Sequence, residues 1–138
     1  MTVLNSVIDW LKTFNPDEYL KIKSIDTDIL AARPNSFCLA KEPIINRKKY
    51  ISGKVIATEH YTLSALLPSF EDQERIANNK WGELLEKWVY EQDKEQSFPV
   101  IEGITFKKIE ITTPFYSGKT LENESVYRMT LSIKYEKE

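Results

Sequence analysis

One cysteine, one histidine and four glycines are all this chain has of three residue types on which many protein chemistries depend. A lone Cys38 has no internal disulfide partner, which predicts a reducing compartment. A lone His60 excludes a histidine-rich metal site and a Ser-His hydrolase within this chain. Glycines at 53, 82, 103 and 118 cannot write a GxGxxG loop or a P-loop, so no dinucleotide or nucleotide cradle is expected. Charge of one sign is also lacking. Nineteen Lys and Arg stand against 21 Asp and Glu, for a net charge of −2, without the basic excess of a dedicated nucleic-acid binder. No apolar run approaches the ~18 residues of a membrane span. The first fourteen residues mix Asn5, Ser6, Asp9 and Lys12 with their apolar positions and carry no basic lead, so they read as part of the fold and not as a targeting segment.

What is present is core material. Hydrophobic residues make up 41% of the 138 and aromatics 12%, enough for one domain spanning 1–138. Leu4, Val7, Ile8, Leu11 and Phe14 recur at spacings of three and four, predicting an amphipathic helix with Thr2 as its N-cap and Pro16 marking its end. Tyr19, Ile22 and Ile25 suggest a short extended piece. Phe37 to Ala40 and Ile44 to Tyr50 read as strand, followed by a Ser52-Gly53 turn. The next strand places Val55, Ala57, Tyr61, Leu63, Ala65 and Leu67 on one face, with Thr58, His60, Thr62 and Ser64 on a wetter one.

Ser69 with Asp72 resembles a capping box, and Ala77, Trp81, Leu84, Leu85 and Trp88 form the stripe of a helical region that Asn78-Asn79 divides. Residues 104–113 predict a strand with a bulge near Lys107-Lys108, and 116–124 a polar connection. Tyr127, Met129, Leu131, Ile133 and Tyr135 alternate along a closing strand. The expected fold is α+β, order α-β-β-β-α-β-β, with an antiparallel four- to five-stranded sheet and helices on one face.

Few residues invite chemistry. Cys38 lies in the apolar run Phe37-Cys38-Leu39-Ala40 and reads as a small buried hydrophobe. His60 reads as a surface or interface residue. The acidic groups Glu71-Asp72-Glu74 and Glu91 to Glu95 read as solvated helix ends, and Trp81 and Trp88 as core. No catalytic, cofactor or metal residues are predicted. An enzyme working through carboxylates and tyrosines would need a pocket in which Glu and Tyr side chains converge. The one basic cluster, Arg47-Lys48-Lys49 with Lys54, has two readings: a contact for an acidic subunit or passing DNA, or a solvated hairpin tip whose lysines discourage edge-to-edge pairing. It and the polar loop at 116–124, represented by Tyr116 and Lys119, are the candidate partner-binding positions.

Tyr61 to Leu66, the run Asn78-Asn79-Lys80-Trp81-Gly82-Glu83-Leu84-Leu85-Glu86-Lys87-Trp88, then Glu91-Gln92 and Phe98-Pro99, resemble a family of small phage and prophage proteins. These are minor capsid or tail-terminator proteins of long-tailed phages. Ile109 to Tyr116 is similar to the family's penultimate strand and Val126 to Tyr135 to its closing one, so the likeness covers roughly 45–136. Thr113-Pro114-Phe115 departs from it, standing where the family has small residues. The resemblance implies a structural part without catalysis, made in the host bacterial cytoplasm and carried in the virion. Such a part caps the tail tube, commonly as a six-membered ring of its own copies, and faces the tail tube protein and the head connector, with DNA passing nearby. Ring closure needs two different patches, one meeting the other on the next subunit. The competing expectation is a small regulatory protein-binding domain.

Overall fold

A computed structural model describes residues 2–14 and 20–138. Pro16 and Tyr19, to which the sequence assigns a helix end and a strand start, lie outside the described residues. Helix α1 (Val3–Leu11) starts as expected: Thr2 Oγ1 accepts from the Asn5 N–H at 3.1 Å and Asn5 answers from its own side chain. Val7, Ile8, Trp10 and Leu11 are buried.

Five strands follow: β1 (Asp26–Thr27), β2 (Ser36–Lys49), β3 (Val55–Pro68), then, after helix α2 (Asp72–Lys94), β4 (Ile104–Thr120) and β5 (Glu124–Lys137). The sheet order is β1-β2-β3-β5-β4. The α+β class and the element order agree with the sequence, but the sheet is mixed, because β1 pairs with β2 in parallel. Two residues without alternation carry no orientation signal, and Ile22 and Ile25, read as strand, are buried coil leading into β1. The two β segments predicted over 37–50 are one strand, irregular between Lys41 and Ile45.

Three further expectations fail. The Asn78-Asn79 pair does not interrupt α2. Asn78 is buried, and its amide donates to the Pro68 carbonyl at 2.8 Å, so a residue that disfavours helix interiors is satisfied by the neighbouring strand end. The helix also starts later than Ser69. Its opening turn is closed by the Glu74 carboxylate accepting from the Glu71 N–H at 2.9 Å, while Ser69 is buried against Ser125 at 2.6 Å. Residues 116–120 are not a connection but the continuation of β4, leaving a turn of three residues before β5.

The core lies between the helices and one sheet face. Trp81 is its centre, edge-on to Phe14 and Phe115 and tilted on Phe37, with its indole N–H donating to the Leu20 carbonyl at 3.1 Å. Trp10 packs on Trp88 at 4.7 Å and ties α1 to α2. Gly82 brings α2 close to β4: a β-carbon there would overlap the Phe115 ring. Phe115, part of the segment that departs from the family pattern, stacks on Tyr127 at 5.2 Å and its N–H donates to Glu86 at 2.9 Å. Pro114 sits within a register shift of this edge strand, where its missing N–H costs no ladder bond.

Candidate partner-binding surfaces

The β2–β3 hairpin carries the basic cluster. Lys49 pairs with Val55, and the Tyr50 N–H donates to the Lys54 carbonyl at 2.8 Å across a turn in which Gly53 takes φ +92. Register places Arg47 and Lys49 on the helix-covered face and Lys48 on the opposite one. All three are exposed, and Lys48 lies over the Tyr50 ring at 5.4 Å. Lys54 differs from them. It is ion-paired to Glu136, which also holds Lys107 at 2.9 Å.

Tyr116 and Lys119 are exposed on β4, opposite Arg128 and Val126. Val126 is level with Leu66 of β3, whereas the basic hairpin is level with Val55. At about 3.3 Å per residue, the two candidate groups are about 23 to 36 Å apart along the sheet, the nearer distance being Arg47 to Tyr116. The structure does not bring them into one site.

Between them lies a cluster that the alternation of β3 flags and that residue-type scanning passes over. Glu59 falls at a position whose neighbours, Ala57 and Tyr61, are core, and it is 2% exposed. Its carboxylate accepts from the Tyr61 hydroxyl at 2.7 Å and the Tyr135 hydroxyl at 2.9 Å, and pairs with Lys41 at 3.1 Å. Burial pushes the Glu59 pKa up, but the donors from Tyr61, Lys41 and Tyr135 outweigh it and hold the group below its ordinary value. Burial, reinforced by the hydrogen bond to Glu59, raises Tyr61 well above the usual range and Tyr135 to about 12. This is the convergence of Glu and Tyr that a carboxylate enzyme would need. The groups are spent on one another, however, and the surface cavities at 20–37, 89–111 and 100–138 are lined by other residues.

His60 stands half-buried between Thr58 and Thr62 on the sheet face away from the helices. Cys38 is buried, and burial raises its pKa, so its thiol is a packing group. Among the described residues no three His, Cys, Asp or Glu side chains are grouped to hold a metal ion, and no helix is long and apolar enough to cross a membrane. No protein-family model matches the chain, and a search of curated proteins returns no match.

Proposed function

We propose that the chain is a non-enzymatic structural subunit of phage assembly, a tail terminator or head–tail joining part that closes the tail tube as a ring of its own copies. The observation that carries the assembly reading is the separation of two unlike surfaces on one small domain. One is the cationic hairpin end with Arg47, Lys48 and Lys49; the other is the exposed side of α2, of mixed charge, where Asp72, Glu83 and Glu91 stand among Arg75, Lys80, Lys87 and Lys94. A ring needs two different patches per subunit, one meeting the other on the next subunit, and two unlike surfaces on one domain provide them. The phage assignment rests on the resemblance over 45–136. It places the protein in the host cytoplasm during assembly and afterwards in the virion, against the tail tube protein and the head connector.

Electron microscopy of particles induced from a genome with an early stop codon in this reading frame tests the proposal. Overlong headless tails beside filled heads support tail termination, and normal tails left unjoined move the part to the connector. Intact infectious particles would replace this reading with that of a small regulatory protein-binding domain, recognisable by a one-to-one complex. Native mass at high concentration adds a second check, with six times the 16.1 kDa subunit expected for a closed hexamer.

A further inference from the structure

Strand β2 ends in an open edge. Its β1 partner covers only Cys38 and Leu39, and from Lys41 onward nothing among the described residues pairs with the side away from β3. The direction of the backbone groups there follows from two hydrogen bonds. The Tyr50 N–H points at β3, where it donates to Lys54, and the Leu39 carbonyl points at β1, where it accepts from Asp28 at 3.1 Å. Because N–H and C=O alternate along a strand, Ile45, Arg47 and Lys49 turn theirs outward, away from β3. No bond to these groups is present among the described residues.

The side chains beside this edge are cationic on both faces of the sheet, with Arg47 and Lys49 on one and Lys48 on the other. Lys54 and Lys107, a strand or more away, are already ion-paired to Glu136. A chain lying in the plane of the sheet would therefore meet positive charge above and below itself. A second copy pairing by the same edge would set these cations against their own equivalents, which opposes that pairing.

We propose that the β2 edge over Ile45 to Lys49 receives an extended acidic segment of a partner protein as an added strand. Main-chain bonds to Ile45, Arg47 and Lys49 hold it; Asp or Glu at alternate positions meet Arg47 and Lys49 on one face, and an acidic residue between them meets Lys48 on the other. A nucleic acid would use the same cations but leave the outward N–H and C=O groups unladdered. This inference stands apart from the phage reading, since an acidic strand can belong to any partner.

The test uses the full chain and three probes: a peptide of about ten residues alternating Glu with Val, its Lys counterpart, and single-stranded oligothymidylate. Anisotropy is expected to report binding of the Glu peptide alone, with slowed hydrogen exchange at Ile45, Arg47 and Lys49. The double variant Arg47→Glu with Lys49→Glu is expected to weaken that peptide about tenfold or more and to gain the Lys peptide. Ile45→Pro keeps every cation and places proline where an edge strand tolerates it, and it is expected to abolish binding with the circular dichroism unchanged. The proposal is overturned if the oligonucleotide binds and the Glu peptide does not, if no probe binds, or if protection falls elsewhere.

Discussion

The two halves of the sheet are held together by different physics. Around the middle of α2 the contacts are aromatic: Trp81, Phe37, Phe115, Tyr127 and Phe14 interlock, and Gly82 lets helix and strand touch. Toward the β2–β3 hairpin the interior holds a carboxylate and two phenols, with the exposed Lys41 paired to the carboxylate, and the cations beyond are in solvent. Packing of the first kind tolerates almost no change of shape. A satisfied polar cluster tolerates change of shape but not loss of a partner. The difference separates a half held by shape from a half held by polar pairing.

Removing the centre of the aromatic half should have the largest effect. Trp81→Ala deletes contacts with Phe14, Phe37 and Phe115 together with the bond to the Leu20 carbonyl, and about 3–5 kcal/mol of stability should go with them. Urea unfolding measures it. A loss under about 1 kcal/mol would mean that this half is not the centre of stability.

Next comes the polar cluster. Glu59→Leu leaves two buried hydroxyls and Lys41 without their acceptor, at about 2–4 kcal/mol. The sign of its pH dependence follows from the directions above. Glu59 is held below its ordinary value of 4.5, so its contribution is complete above that pH and is lost as pH falls through the folded value. Tyr135 is raised from 10.0 to about 12, so its contribution is complete below pH 10 and fades as pH rises toward 12. Unfolding free energy against pH should therefore drop at both ends in the parent and change less there in Glu59→Leu. Parallel profiles would remove the cluster from the account.

Gly82→Ala probes the boundary of the packed half at smaller cost. The added methyl meets the Phe115 ring, and moving either α2 or β4 to admit it should cost about 1–3 kcal/mol. Pairing it with Phe115→Leu should recover part of that loss; additivity of the two would show that they do not meet.

The aromatic half was legible in the sequence because helical spacing and strand alternation both point inward there, at Trp81 and Leu85 and along Tyr127 to Tyr135. Where the structure departs from the sequence reading, the deciding partner is distant in the chain. Asn78 stays helical because Pro68 accepts its amide, Ser69 is taken by Ser125, and residues 116–120 extend β4 because β5 supplies the ladder their own composition does not demand. The parallel β1 depends on two residues meeting Cys38 and Leu39. Of the candidate site, the cations were readable as a cluster; that Lys54 is ion-paired and that Tyr116 and Lys119 stand far off are consequences of register. Glu59 left a trace in the sequence, as the one charge at a core parity of β3, and its meaning required Tyr135 from the other end of the chain.

The smallest effect on stability is expected at the hairpin, where the largest effect on function is expected. Changing Arg47, Lys48, Lys49 and Lys54 to Ser removes three solvated cations and one ion pair, and Lys107 remains to hold Glu136. Exposed charges and surface ion pairs contribute little, so unfolding should shift by no more than about 1 kcal/mol. The same four changes should abolish assembly in a complementation assay with the stop-codon genome, because the cationic patch of a ring interface would be gone. A variant that unfolds early would give these residues a structural role after all. One that folds and assembles normally would leave the hairpin as a solvated tip, with its lysines serving only to keep an open edge from pairing with its own copies.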